Sequence, residues 1–314
     1  MTDFHHEPVL VDKIVELFAP VPTGWVIDAT VGGGGHAEAI LASRSDLQLL
    51  GIDQDPVALA ASTERLARFG DRVTLVRSRF DRLAVIMTDL RLPPTSAVLF
   101  DLGVSSPQLD RAERGFSYRA SGPVDMRMDT DQAWSGSDVI NGYTQSELAY
   151  ILKTYGDERF ADRIASAIVA ARPIETTAEL ADIVRDAIPA PARRRGGHPA
   201  KRTFQAIRIE VNRELAILPA AMDAAIDATA PGGRVAVLTY HSGEDRIVKD
   251  RFRNAATGGC TCPPKLPCVC DAVRTVQLLK PGGWTASAAE IESNPRAESA
   301  RLRAVERLRP AVGE

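Results

Sequence analysis

"VIDATVGGGGHAEAI" occupies residues 26–40, and its reading decides the fold. A short apolar run ends in Asp28, four glycines follow (Gly32 to Gly35), and a helix-forming segment begins. Glycines directly after a strand permit positive φ and let a ligand approach the backbone closely. The N-terminus of the helix behind them offers N–H groups that have no partner within the helix. A tight turn is the competing reading. Four glycines in a row disfavour it, because each costs chain entropy and supplies no side chain.

Outward from that loop, apolar runs alternate with helical stretches. "WVIDAT" (25–30), "LQLLGID" (47–53), "VTLVRSRF" (73–80) and "SAVLFDLG" (96–103) read as strands; "GHAEAILASR" and "PVALAASTERLARF" read as helices between them. Such alternation predicts a parallel sheet covered by helices on both faces. Ligands of these sheets bind at the carboxyl ends of the strands, near the switch in strand order. Asp28, Asp53, Phe80 and Asp101 each fall at or near such an end.

Gly32, Gly34 and Ala37 satisfy the G-x-G-x-x-G/A pattern of a dinucleotide site, with Asp53 about 20 residues further on, so a dehydrogenase stays open on the glycines alone. Asp28 favours S-adenosylmethionine (SAM) instead. A carboxylate just before the loop suits the sulfonium and amine of SAM and would repel the pyrophosphate of NAD. Asp53 suits ribose hydroxyls in either case. Asp101 follows the fourth strand and opens "DLGVSSPQLD" (101–110). It reads either as a group that orients an incoming amine or SAM's own amino group, or as a strand-end residue capping the next turn.

Length and composition set the outer limits. With 314 residues, 45% hydrophobic and 25% charged, the chain is long enough to bury a full core in one large domain or two smaller ones. No apolar run reaches the length of a membrane span. "MTDFHHEPVL" has no basic segment followed by an apolar stretch, so a cytoplasmic location is expected. A net charge of −3 disfavours a protein that coats nucleic acid, but one segment departs from it. Between Ala192 and Arg213 stand Arg193, Arg194, Arg195, Lys201, Arg202, Arg208 and Arg213 against Glu210, a local excess of +6. A solvated loop is the plain reading. A basic island with glycine and proline beside a nucleotide-binding sheet suits RNA phosphates better.

Residues 113 to about 211 interrupt the strand–helix alternation with amphipathic helices preceded by Ser and Thr caps, which predicts an all-helical insert. The expected organisation is 1–112 and 212–314 as two parts of one cofactor-binding domain, with 113–211 inserted. At the start of the insert, "GFSYRASGPVDMRMD" (115–129) either closes over the pocket with Phe116 and Tyr118 stacking a base, or plugs the loop onto the core. "GRVAVLTYH" returns to the sheet and ends in Tyr240 and His241, which line the acceptor side or hold a neighbouring loop. "VRTVQLLKPGGW" and "SARLRAVERLRP" complete an expected seven-stranded sheet.

All four cysteines lie in "CTCPPKLPCVC" (260–270). Structural zinc sites favour two to four residues between paired cysteines, and C-x-C is tighter than that. Four thiols could still reach one zinc, but the spacing favours a proline-stiffened loop with reduced thiols or a redox-labile pair, and no metal is expected.

Taken together, "HEPVLVDKIVELF", "IDATVGGGGHA", "GIDQDP", "DLGVSSPQLDRAERGFSYRASGPVDMRMD", "KTYGDERFADRIASAIV", "HPAKRTFQAIRIEVN", "APGGRVAVLTYHSGEDRIVK" and "NPRAESARLRAVER" resemble the RsmH (MraW) family over residues 6 to 308. The resemblance implies a class I SAM-dependent methyltransferase, Rossmann-like with an inserted all-helical domain, and it assigns substrate recognition to that insert. It implies methylation of N4 of a cytosine in 16S ribosomal RNA near the decoding centre, within the small ribosomal subunit. The implied cofactor residues are Gly34, Gly35, His36, Asp53, Phe80, Asp101 and Gln108; the last follows from the resemblance alone. Arg193, Arg194, Arg195, Lys201, Arg202, Tyr240 and His241 are the expected substrate contacts. A methyltransferase of DNA or other RNA, an NAD-dependent oxidoreductase and a non-catalytic assembly factor remain the alternatives. The family's loop commonly has a larger residue where this chain has Gly33.

Overall fold

The computed structural model describes residues 8–193, 197–263 and 269–309. His5, His6, Arg194, Arg195 and Cys268 lie outside them. Contacts divide the chain into two compact units: one formed by the N-terminal 103 residues with Leu215–Glu314, and one by Val104–Glu214.

The first unit contains one sheet of eight strands: β1 (Gly24–Asp28), β2 (Leu47–Asp53), β3 (Val73–Arg77), β4 (Thr95–Asp101), β5 (Thr229–Thr239), β6 (Val276–Leu278), β7 (Trp284–Thr285) and β8 (Arg301–Arg307). They run in the order β3-β2-β1-β4-β5-β8-β6, with β7 paired to β8 off this path. β1 to β5 are parallel, and β8 enters antiparallel beside β5. The order switches between β1 and β4, and Asp28 and Asp101 close those two strands. The count exceeds the expected seven by the two-residue β7.

Parallel strands covered on both faces carry near-continuous apolar sequence, because alternate side chains enter opposite cores. Val26, Leu49 and Leu99 pack on one face with Leu238; Ile27, Leu50, Val98 and Phe100 pack on the other with Val237. Phe100 is fully buried, and truncating such a ring to alanine costs about 3–5 kcal/mol. β3 stops at Arg77, earlier than the predicted 73–80, and Phe80 begins a short 3-10 turn.

The second unit is helical. Its main helices are Gly136–Gly142, Gln145–Gly156, Ala161–Ala170, Thr177–Ala187 and Lys201–Asn212. Ser135, Thr144 and Thr176 cap three of them, each in a reciprocal box with Asp138, Glu147 and Glu179. Leu148, Leu152, Ile164, Ile168, Leu180, Phe204 and Ile207 fill the core. Phe116, Met126 and Met128 are buried with them. The packing reading of 115–129 therefore holds for those three side chains. Asn212 fastens the same segment, accepting from the Met128 amide at 2.8 Å and donating to the Met126 carbonyl at 2.8 Å.

Among the described residues no helix is long and apolar enough to cross a membrane.

Candidate active site

The glycine loop is held from below by the carboxylate that ends β2. Asp53 Oδ2 accepts the Gly32 amide at 2.9 Å, and its Oδ1 accepts the Asp55 amide at 2.9 Å. Gly34 is the N-cap of helix Gly35–Ser43 in a left-handed conformation, φ 78°, where a β-carbon would also press on Ser62 and Leu66 at 3.3 Å. Both conditions select glycine. His36 follows in the first turn of that helix and is buried.

Three carboxylates converge on the adjacent ends of β2, β1 and β4. Asp28 is 1% exposed and, among the described residues, accepts only the Thr30 amide, at 3.2 Å. Burial raises its pKa to about 8, with the charges of Asp101 and Asp53 adding to the rise and the Thr30 amide opposing it. Burial likewise raises Asp53 to about 6, against the amides of Asp55 and Gly32. Among the described residues neither is paired with a lysine or arginine.

Asp101 is bracketed by two side chains. The Tyr240 hydroxyl donates to its Oδ1 at 2.7 Å, and His36 Nδ1 lies 3.5 Å from its Oδ2. His36 Nε2 is 2.9 Å from the Val9 carbonyl, an oxygen that only accepts, so Nε2 carries a proton. Nδ1 then attracts Asp101 only when the ring is a cation. The Tyr240 ring packs against Gly103, where a β-carbon would sit 3.3 Å from it, and burial followed by the Asp101 charge raises its pKa well above the ordinary tyrosine value. Asp101 is fixed from the backbone as well, its amide donating to Thr30 Oγ1 at 2.6 Å.

Phe80 packs edge-on against Phe100, ring centroids 5.7 Å apart. His241 is engaged structurally: it is the N-cap of helix Ser242–Thr257, its Nδ1 accepting the Gly243 amide at 3.2 Å. Its Nε2 lies 3.1 Å from Glu244 Oε1, close enough for charge attraction but misaligned for a hydrogen bond. Glu244 is buried and accepts the Tyr240 amide at 2.8 Å.

The profile of the MraW methylase family matches residues 3–308. The chain belongs to that family. It is 51% identical to the ribosomal RNA small subunit methyltransferase H of Heliobacterium modesticaldum over 312 residues, 98% of this chain and 99% of that one. The protein of the same description from Symbiobacterium thermophilum is 51% identical over 310 residues, covering 97% of each chain. That from Mycolicibacterium gilvum is 52% identical over 314 residues, 98% of this chain and 84% of that one. The chain is a methyltransferase of the class I SAM-dependent fold, and SAM is its cofactor. The strand-end carboxylates fit that cofactor. Carboxylates without a lysine or arginine partner, beside a glycine loop, suit a ligand bearing a sulfonium and an ammonium group.

In the helical unit of the methylase, Gln108 is buried and its side-chain oxygen accepts the Ser105 amide at 3.0 Å. Arg193 closes the end of helix Thr177–Ala187, donating to the carbonyls of Ile188 at 2.7 Å and Asp186 at 3.1 Å. Arg202 reaches the Asp157 carbonyl at 2.9 Å, and Lys201 is exposed beside it. Next to them Tyr118 stacks on His198, centroids 4.3 Å apart and planes 11° from parallel, with Phe204 edge-on to the same ring. Sequence reasoning missed this stack. Tyr118 was within reach of it, as an aromatic in a glycine-flanked loop, but its partners stand some eighty residues further along the chain.

Proposed function

We propose that this methylase transfers a methyl group to N4 of a specific cytosine in 16S ribosomal RNA near the decoding centre, with the small ribosomal subunit as the substrate particle. The observation that carries the reading is the set of three carboxylates, Asp28, Asp53 and Asp101, gathered at the strand ends around the glycine loop. SAM, when bound, supplies an electrophilic methyl group on a positively charged sulfur. Gly34 and Gly35 give close backbone approach to its methionine end, Asp53 accepts from ribose hydroxyls, and Phe80 lies against the adenosine. Asp28 balances positive charge. His36 is held by the Val9 carbonyl, and Gln108 belongs to the same proposed set.

A cytosine amine is a weak nucleophile because its lone pair is delocalised into the ring. Asp101 accepts its N–H, concentrating electron density on nitrogen and orienting it for in-line attack. Tyr240 occupies Oδ1, so the amine is assigned to Oδ2, where His36 Nδ1 stands 3.5 Å away. No strong base is required, since the nitrogen turns acidic once methylated, and Oδ2 is then the nearest acceptor for its proton. Lys201 and Arg202, with the Tyr118–His198 stack beside them, combine phosphate-binding charge with a stacking surface, which supports RNA contact there.

The test is methyl transfer from labelled SAM to small subunits from cells lacking this protein, with naked 16S RNA in parallel and nucleoside mass spectrometry after digestion. N4-methylcytidine in either substrate is the expected product. SAM binding without transfer to either would redirect the reading to another RNA or to DNA.

A further inference from the structure

The connection between helix Ser242–Thr257 and β6 folds back on itself. Thr275 donates its amide to the Ala255 carbonyl at 3.0 Å, and Gly259 donates to the Asn254 carbonyl at 3.0 Å. Gly258 sits between them in a left-handed conformation, φ 65°, pressed so closely on Val273 that a β-carbon would meet its backbone at 2.6 Å. The Cys260 amide adds a further turn contact to the Thr257 carbonyl at 3.3 Å. The residues flanking this closure are the cysteines. The Sγ atoms of Cys260, Cys262 and Cys270 lie within 4.8 Å of one another. Among the described residues no other group of three or more His, Cys, Asp or Glu side chains brings donor atoms together in this way.

Zinc holds thiolates at about 2.3 Å in a tetrahedron, which sets sulfurs about 3.8 Å apart. The observed separation is within a small side-chain rotation of that geometry. The Cys260–Cys262 spacing alone is too tight for a conventional chelate; the fold remedies this by bringing the third thiol from the far side of the loop. Three soft donors and no carboxylate select zinc over magnesium, calcium or manganese.

We propose that Cys260, Cys262 and Cys270 bind one zinc ion. Each thiol gives its proton to solvent as its sulfur bonds the metal, so one zinc displaces three protons and leaves a site of formal charge −1 with one coordination position for a further donor. Cys268 lies outside the described residues, and the proposal does not include it. The ion ties the two ends of the connection and fixes the entry into β6, which pairs with β8.

The experiment uses the full chain without an affinity tag, expressed with zinc and purified without chelator. Elemental mass spectrometry should find about one zinc per chain. Cys260→Ser and Cys270→Ser should each lower that content to background while the circular dichroism of the protein is retained. Cobalt(II) added to metal-free wild-type protein should give the intense near-ultraviolet sulfur-to-metal band of thiolate coordination. Zinc added instead should release about three protons per ion in unbuffered solution. If the serine variants fail to fold, those two wild-type measurements decide. Wild-type protein that takes up no zinc overturns the proposal, as does zinc content unchanged in both variants. A disulfide between any two of these cysteines under reducing conditions also overturns it.

Discussion

In the folded chain Asp28 keeps its proton up to about pH 8, whereas an aspartate with its ordinary pKa of 3.8 has long since released it. The native state therefore binds a proton that the unfolded state does not, and stability falls as pH rises through that window. A cationic ligand reverses the preference by favouring the carboxylate. SAM binding at pH 7 should accordingly release a proton, and its affinity should rise with pH until about pH 8 is reached. Calorimetry in two buffers of different ionisation enthalpy measures this; heats that are independent of buffer would remove Asp28 from the cofactor's charge balance. Tyr240 makes a second prediction at the same scale. Tyr240→Phe deletes one hydrogen bond to a carboxylate, worth about 1.5–3 kcal/mol, so kcat should fall about 10- to 100-fold with SAM affinity little changed. An equal loss of SAM affinity would move the tyrosine to cofactor binding. Asp28, Asp53 and Asp101 were legible in the sequence because each ends an apolar run. The Tyr240–Asp101 bond was not, because 139 residues separate the partners and no local pattern encodes their meeting.

Elements were legible where burial writes a period, and their ends were not. "VTLVRSRF" ends in the apolar Phe80, but the strand stops at Arg77; the last ladder contact is the Ser78 amide on the Asp53 carbonyl at 2.9 Å. The chain turns there, and the Phe80 ring packs on Phe100. β7 has two residues, too few for any period to register. His241 illustrates a helix start hidden by residue type, since Ser242 is the conventional cap and the imidazole takes its place. His241→Ala should lose the cap and cost about 1 kcal/mol, a drop in Tm of about 2–4 °C, while His241→Asn keeps an acceptor and loses less. Thermal melts of the two variants check this. Equal losses would mean the ring's packing matters more than its nitrogen.

Across the whole molecule, charge is distributed unevenly, and the sequence made that plain: an acidic chain of −3 overall carries its basic excess in residues 192–213. Sequence did not separate the arginines that build structure from those that face outward. Arg193 is committed to helix-end carbonyls and Arg208 to Glu214 at 2.8 Å, so neither is a clean probe of RNA contact. Lys201 and Arg202 are better ones because both are exposed, although Arg202 also donates to the Asp157 carbonyl. The double variant Lys201→Ala/Arg202→Ala should weaken RNA binding and lower the salt dependence of log K by about 2, with SAM affinity unchanged. Titrations at several salt concentrations read both quantities; a slope equal to that of the wild type would exclude phosphate contact by this pair.

The interleaving of the two units has a consequence for synthesis. Val104–Glu214 is continuous in sequence, so all of its helices are synthesised before β5. The sheet must wait longer, because β8, which lies between β5 and β6, is formed by residues 301–307. At about 5–20 residues per second, the last strand of the sheet is made about 5–20 seconds after the last helix of the helical unit. The nascent chain therefore carries a completed helical unit attached to an unfinished sheet. Chaperones that shield strand edges have their opportunity in that interval.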